Sequence, residues 1–355
     1  MSDVQQPASR RPPGRRFAGV VVSWVLIVVA LRAVVLQPER CGSVDAAAVA
    51  AAAEEAAGWL VRNQHDDGSW LYRYDRDDDV DLGGYNIVRH GGVTMSLYQA
   101  HTAGIAGALA SADAGTEWAI ERLSPAGGGR ALGQGRTLST GASAMWAAGL
   151  VERRVTTGEP VYDELLADLG TFLVGSVEEN GAVSAAYLTA ADAFDRGNHS
   201  IFFTGEIYWA LARLERVFPG EGYGDAAARI EHYLATERDD AEDLFPPPGD
   251  HWAAYGLATT HAHPDAPGLP ADYVARQARL FGPQVRYESQ RTNSTWSYVT
   301  RGRQTLGAGL GTLGEGLGNL WHVVDEGDRA AVAERAACVA GMLVDRQADG
   351  CLLYT

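Results

Sequence analysis

The sequence contains no lysine: all 29 of its basic residues are arginine, and they are outnumbered by 45 acidic residues, for a formal net charge of −16. Without lysine, neither Schiff-base catalysis by a lysine amine nor a P-loop with its phosphate-binding lysine is possible. Binding to a nucleic acid backbone needs clustered positive charge, which so acidic a chain does not favour. We therefore expect no nucleic acid among the partners.

Cysteine is also scarce, and Cys41, Cys338 and Cys351 are scattered along the chain. Three such residues are too few for a zinc site or a disulfide framework, so the sequence predicts no metal centre built on them. Cys338 and Cys351 could form a disulfide, because a helix and the loop after it can fold back on each other. The alternative is that the cysteines are ordinary buried thiols.

A long apolar run stands near the N-terminus, where FAGVVVSWVLIVVALRAVVL contains Arg32 as its only charge. About twenty helical residues can cross a bilayer core of roughly 30 Å. The arginines before the run predict, by the positive-inside rule, a basic cytoplasmic tail over residues 1–16 and a transmembrane anchor over 17–37. A cleaved signal peptide is the alternative. The sequence thus predicts a single-pass cell-membrane protein whose main domain is extracytoplasmic.

Alternating strand patterns are hard to find beyond residue 44, whereas apolar residues recur at helical spacing. Gly68, Gly181 and Gly350 each follow a helical run, and they are separated by 113 and 169 residues, two and three multiples of about 56. A period of this length is typical of helical repeats. It predicts an all-α domain over residues 44–355, an (α/α)6 toroid of antiparallel helix pairs whose last pair is incomplete. The long loops within pairs would lie at one end and form the mouth of a site.

The segment from Gln64 to Trp70, QHDDGSW, matches the pattern Q-x-x-x-G-x-W. It resembles the QW repeat of squalene-hopene cyclase and related terpene cyclases, whose toroid the protein prenyltransferases share. Residues Gln347 to Leu352 resemble a degenerate copy without the tryptophan. In the cyclases the motif is structural, so the resemblance implies the toroid fold and a structural role for Gln64, Gly68 and Trp70.

The string Asp75-Arg76-Asp77-Asp78 fits the D-x-D-D motif of the same cyclases. That resemblance makes Asp77, with Asp78 beside it, a candidate for protonating an alkene or epoxide. Such an acid must stay neutral in an apolar pocket, whereas this one lies in a polar, acidic loop. A solvated loop, or a cation site of hard oxygen ligands between Asp75 and Asp81, is the alternative. The sequence implies no other cofactor.

A further set of candidates stands at the starts of the predicted inner helices. Asn86 is a natural helix cap, and Arg89 and His90 in the first turn can bind a carboxylate and move a proton near neutral pH. The helix starts near Glu206, His251 and Arg301 carry similar residues. Any one of these side chains could instead cap or bridge helices. With the acidic loop included, the catalytic candidates are Arg89, His90, Asp77, Asp78 and Glu206, and the substrate-binding candidates are Tyr74, Tyr85, Asn86, His199, Tyr208, Trp252 and Trp296.

Polar groups and aromatic rings that meet at one mouth are used by sugar-binding toroids, which include glycoside hydrolases, polysaccharide lyases and uronyl epimerases; this is an analogy of fold. A lyase or epimerase would use Arg89 to neutralise a uronate carboxylate and His90 or Tyr85 to move a proton. A hydrolase would use a pair of the acidic candidates, such as Asp77 and Glu206. The sequence therefore favours a membrane-anchored protein that binds or modifies a cell-envelope carbohydrate. A terpene cyclase-like isomerase acting through Asp77, and a non-enzymatic binding or scaffold protein, are the alternatives.

Overall fold

The structure, a computed structural model, describes residues 13–34, 37–75, 78, 80–261 and 268–347, with the backbone alone for 13–16, 33, 34 and 134. Asp77, Cys351 and most of the second QW-like segment lie outside these residues. The chain divides into two compact units, Met1–Arg40 and Cys41–Thr355.

Helices dominate the described residues of both units. The first unit contains α1 (Pro13–Val34). The second contains α2 (Ala46–Arg62), α3 (Ile87–Thr102), α4 (Ala108–Ile120), α5 (Thr140–Thr157), α6 (Asp163–Ser176), α7 (Phe203–Val217), α8 (Tyr223–Thr236), α9 (Arg238–Ala241), α10 (His251–His261), α11 (Ala271–Ser289), α12 (Thr295–Arg301), α13 (Gly307–Leu320) and α14 (Glu326–Arg346). Its strands are β1 (Tyr74–Asp75), β2 (Val80–Asp81), β3 (Leu123–Ala126), β4 (Gly129–Gln134), β5 (Thr137–Ser139), β6 (Ala186–Leu188) and β7 (Ala193–Phe194).

Arginines limit the length of the uncharged stretch in helix α1. It includes Arg15, Arg16 and Arg32, which leaves 15 uncharged residues from Phe17 to Leu31. At 1.5 Å per residue these extend about 22 Å, less than the roughly 30 Å of a bilayer core. Of the helices in the described ranges, none is long and apolar enough to span a membrane. The predicted anchor over 17–37, and with it the single-pass location of an extracytoplasmic domain, is therefore wrong.

Five helices of the second unit, α3, α5, α7, α10 and α13, pack side by side in chain order, and we call them the inner row. Glycines allow some of these contacts to be close. Between α7 and α10, Gly205 meets Ala253 and, one turn later, Tyr208 meets Gly256. In these contacts the residue numbers rise together along both helices, as they do only when two helices are parallel. The same pattern recurs between other neighbours, so the helices of the inner row run in the same direction.

A second layer of helices covers the inner row. α4 packs on α3, α6 on α5, α8 on α7, and both α11 and α14 on α13. The apolar core lies between the two layers, and its largest fully buried side chains include Trp146, Trp209, Tyr98 and Phe172. The side chains of the inner row that face away from this core are therefore the ones available to form a site.

The beginning and end of the second unit are joined. α2 packs against α14, and the amide Nε2 of Gln347 donates to the carbonyl of Ala52, 2.9 Å away. A disulfide links Cys41, just before α2, to Cys338 in α14, where the two Cα atoms are 4.9 Å apart. Both sequence alternatives for Cys338, pairing with Cys351 or a free thiol, are therefore wrong. The packing of α2 on α14 creates the bridging distance, which spacing along the chain does not reveal.

Two antiparallel sheets occupy connections that read as loops in the sequence. Strands β1 and β2 form a hairpin between α2 and α3, and β3 to β7 form a five-stranded sheet in the order β3-β4-β5-β6-β7. Gly127 and Gly128 join β3 to β4, and both have positive φ, as the tight turn of a hairpin requires. The predicted all-α (α/α)6 toroid preceded by a transmembrane helix is therefore wrong. The strands have two to six residues, too few for a clear alternating pattern.

Candidate functional site

His90, in the first turn of α3, is buried and fully hydrogen-bonded. Its Nε2 lies 2.8 Å from the carbonyl oxygen of Gly115 in α4, and its Nδ1 lies 2.8 Å from the hydroxyl of Tyr85. A neutral ring satisfies both contacts when Nε2–H donates to the carbonyl and Nδ1 accepts from the tyrosine. Burial lowers the pKa of His90 to about 4, so the ring is neutral at pH 7. In this setting His90 joins α3 to α4.

The three QW-like residues fix the turn after α2 against α4. Nε2 of Gln64 donates to the carbonyls of Gly68 and Ser111, at 3.0 and 2.9 Å, and its Oε1 accepts from the Ser111 hydroxyl. Gly68 has a φ of +88° and lies so close to the carbonyl of Ala114 that a Cβ would overlap it. The indole of Trp70 is buried with its ring centroid 5.0 Å from that of His90. Each of these contacts is structural.

Other candidates of the first inner helix and its preceding loop lie nearer the surface. The side chain of Asn86 caps α3 by accepting from the amide of Arg89, at 3.0 Å. The guanidinium of Arg89 is exposed and lies 5.3 Å from the ring centroid of Tyr72. Tyr74 is in strand β1, and the exposed Asp78 follows in the turn to β2. Asp77, and with it part of the possible cation loop between Asp75 and Asp81, lies outside the described residues.

Three candidates that come later in the chain have separate surroundings. Nδ1 of the half-buried His199 lies 3.0 Å from the carbonyl of Val183. Tyr208 is buried, and its hydroxyl donates to the carboxylate of Glu231. Trp296 lies on α12 with 76% of its surface exposed. The structure therefore does not bring these three together.

Glu206, in the first turn of α7, is a buried carboxyl group without a hydrogen bond at one oxygen. Only 3% of the residue is exposed, and within the described residues Oε2 has no hydrogen-bond partner. Gly141 of α5 lies against that oxygen and leaves room for it. Burial, with a smaller effect of the Asp250 charge, raises the pKa of Glu206 to about 8. The carboxyl group is therefore mostly protonated at pH 7.

A different polar cluster forms where α3 and α13, the first and last helices of the inner row, both reach α10. The side chains of Gln99 in α3 and Asn319 in α13 face the hydroxyl of Tyr255 in α10. One turn earlier in α10 and α13, Nε2 of His251 lies 3.9 Å from Oε2 of Glu315. We call these five side chains, together with Trp252, the central group.

Glu315 lies on an open face of α13. Gly311 and Gly318 stand one turn to either side of it, and a Cβ at either position would meet no atom within 4 Å. The side chain of Glu315 is 36% accessible to solvent. Even so, the surrounding protein raises the pKa of its carboxyl group to about 7, with burial as the cause. Glu315 therefore borders the open space beside Gly311 and Gly318, which we call the recess, and its carboxyl group is partly protonated at neutral pH.

Aromatic rings form the wall beside His251 and Tyr255. The ring of Trp252 lies 4.6 Å from that of His251 and 5.6 Å from that of Tyr255, and Trp209 stacks behind it at 5.6 Å. Burial lowers the pKa of His251 to about 4, so its imidazole is neutral at pH 7. At 3.9 Å this neutral imidazole and the partly protonated carboxyl group of Glu315 are not hydrogen-bonded, so a proton can pass between them only after the side chains approach each other.

Within the described residues, no group of three or more histidine, cysteine, aspartate or glutamate side chains could hold a metal ion. No protein-family model matches the sequence, and no curated protein matches it.

Sequence reasoning included Trp252 but missed Gln99, Glu315 and Asn319. Gln99 and Asn319 are ordinary polar positions in amphipathic helices, and their sequence context gives no signal. Glu315 does have one: it is the only charged residue in α13, whose sequence is GAGLGTLGEGLGNL. A single charge among glycine and leucine is a feature that could have identified it.

Proposed function

We propose that the protein is an enzyme that binds a carbohydrate in the recess around Glu315 and transfers a proton through that carboxyl group. The observation that carries the proposal is the pair of Glu315 and His251. Proton transfer is most effective when the pKa of the side chain lies near the working pH, and the pKa of Glu315 is raised to about 7. Its side chain is also accessible, which a proton donor to a substrate must be.

The rest of the central group supports a sugar as the ligand. The amides of Gln99 and Asn319 and the hydroxyl of Tyr255 can donate and accept hydrogen bonds, as recognition of sugar hydroxyls requires. The half-buried ring of Tyr255, which stacks on the indole of Trp252, adds an apolar surface for the C–H face of a sugar ring. An isoprenoid substrate would instead need a dry apolar pocket, and polar side chains of this kind would cost free energy there.

In this proposal Glu315 acts as the general acid. Its carboxyl group donates a proton to the oxygen of the bond between two sugars, and the C–O bond breaks as its electron pair passes to that oxygen. His251, whose Nε2 lies 3.9 Å from the carboxyl group, is a positioning residue that limits where this group can point. In hydrolysis, water then forms the new C–O bond and gives its proton to the Glu315 carboxylate. In lyase chemistry, that carboxylate instead takes the proton from the neighbouring sugar carbon as the C=C bond forms, which restores the acid in either case.

The test is turnover of a panel of neutral and uronate-containing polysaccharides by the full chain. New reducing ends report cleavage of either kind, and ultraviolet absorbance of unsaturated uronates reports elimination. We expect Glu315→Gln to lower turnover by about 100-fold or more, because removal of a general acid has an effect of that order. Glu334→Gln, an exposed position on α14, is the matched control and should leave turnover unchanged. Equal turnover by Glu315→Gln and the unmodified protein would overturn the proposal.

A further inference from the structure

An exposed aromatic and apolar surface lies on α12 and the segment leading to α13. Trp296 is 76% exposed, Tyr298 57% and Leu306 82%, and Val299 is exposed beside them. We call these residues, with Arg303, the α12 surface. Large apolar side chains grouped at the surface mark sites of interaction rather than ordinary solvent-facing positions.

The α12 surface is held in place by a buried carboxylate. Glu288, at the end of α11, accepts hydrogen bonds from Arg291 at 2.7 Å and from Arg346 of α14 at 2.6 Å. It also accepts from the amide of Thr305 at 2.8 Å, just before α13 begins. Both ends of the segment that carries α12 are therefore fixed to the body of the domain. A preformed surface loses little conformational entropy when a ligand binds.

The charge of this segment is opposite to that of the chain. Residues 289–314 contain Arg291, Arg301 and Arg303 and no acidic residue, whereas the whole chain has a net charge of −16. Arg291 is paired with Glu288, and the Arg301 guanidinium donates to Gln290. Arg303 is exposed and forms no ion pair within the part of the chain that the structure describes. Around the aromatic rings the exposed side chains are hydroxyls and an amide: Thr292, Asn293, Ser294, Thr295 and Thr300.

The α12 surface stands at the end of the inner row where the helices begin. His251, the first residue of α10, is level with Glu315, the ninth residue of α13. The first eight residues of α13 therefore extend about 12 Å beyond the start of α10. Leu306 directly precedes them, so the surface lies near the end of the inner row at which α13 begins.

We propose that the α12 surface binds an anionic polysaccharide, one whose sugars carry uronate carboxylates. The rings of Trp296 and Tyr298 pack on sugar faces, the hydroxyl side chains bind sugar hydroxyls, and Arg303 binds a carboxylate with its planar fork. This inference rests on the proposed function, because it names the class of substrate that the recess at Glu315 receives.

The test is equilibrium binding of polygalacturonate, with a galactan as the matched polymer that lacks carboxylates. Glu315→Gln protein is used so that the polymer is not consumed. We expect polygalacturonate to bind at least about tenfold more tightly than the galactan, and Trp296→Ala and Arg303→Ala each to weaken that binding about tenfold. Phe245→Ala, at a position 95% exposed, and Arg216→Ala, at an exposed position on α7, are the controls and should change nothing.

Three results would overturn the inference: equal binding of the two polymers, unchanged binding by Trp296→Ala, or binding to vesicles of anionic phospholipid with none to polygalacturonate. The last would make the surface a membrane contact. The experiments distinguish failure of this inference from failure of the proposed function. Tight, Trp296-dependent binding without turnover of any polymer by the unmodified protein would leave this inference standing and remove the catalytic proposal alone.

Discussion

At the scale of single residues, burial divides the titratable candidates into two kinds. His90 is buried with a partner at each ring nitrogen, so its surroundings account for it fully. Glu206 is equally buried but has an oxygen without a partner among the described residues, and Glu315 is partly accessible with a raised pKa. A group with an unsatisfied atom, or one that is accessible and has a raised pKa, is the kind expected at a functional site.

The buried carboxyl of Glu206 predicts a specific dependence of stability on pH. Its pKa is about 8 in the folded chain, against 4.5 as the ordinary value, so between these values the folded state binds more protons than the unfolded state. The contribution of this group to stability is therefore present below about pH 4.5 and is lost as the pH rises toward 8, at up to about 1.4 kcal/mol per pH unit.

Glu206→Gln removes this titration, and we expect the variant to gain stability relative to the unmodified protein between pH 5 and pH 8. Urea unfolding of both proteins across that range measures the difference in the free energy of unfolding. The lowered pKa values of His90 and His251 make stability depend on pH in the direction opposite to that of Glu206. Both histidines are present in both proteins, so their contribution cancels in the comparison. A difference that does not change with pH would contradict the assigned pKa.

At the scale of elements, glycines set how closely the inner helices approach. Gly256 of α10 lies against the ring of Tyr208 in α7, and a Cβ there would overlap the ring. We expect Gly256→Ala to destabilise the domain by about 1–3 kcal/mol, as overpacking of a core does. The matched control is Gly318→Ala in α13, where a Cβ meets no atom within 4 Å, and which should stabilise the helix by about 0.5–1 kcal/mol. Thermal unfolding of both variants measures the effect, and a loss of equal size in both would refute this account of the contact.

The elements also show which parts of the fold a sequence can predict. Residues 86–103 and 328–347 carry strong helical periodicity, and they correspond closely to α3 and α14. The strands were missed because each is too short to show an alternating pattern. Their pairing also joins β5 to β6, which are separated in the sequence by all of α5 and α6. The membrane anchor was predicted wrongly because the apolar run was taken to continue past Arg32, whereas the uncharged residues of α1 end at Leu31.

At the scale of the whole molecule, the disulfide between Cys41 and Cys338 joins residues 297 positions apart. A link across so long a segment restricts the unfolded chain strongly, and we expect its loss to cost about 2–5 kcal/mol of stability. Cys41→Ser and Cys338→Ser should each lower the unfolding midpoint, and a reducing agent should lower that of the unmodified protein to the same level. Identical midpoints with and without the reducing agent would show that the link is absent or without effect.

The central group is also a property of the whole molecule. Gln99 and Asn319 lie 220 positions apart in the sequence, yet both face Tyr255, because α13 packs against α10 and the side chain of Gln99 reaches Tyr255 from α3. Sequence reasoning looked for polar residues and aromatic rings near the helix starts and named Trp252 among them. It could not determine which helices meet, since that depends on packing between elements distant in the chain.

The most direct test of the central claim is a ¹³C NMR titration of the glutamate carboxyl groups in the full chain. Glu206→Gln and Glu315→Gln variants assign the two resonances that titrate near or above neutral pH. We predict that the Glu315 carboxyl titrates near pH 7 and that a bound oligosaccharide shifts this resonance. If Glu315 titrates near its ordinary value of 4.5 and no oligosaccharide changes its signal, the carboxyl group is not a proton donor and the recess is not the site.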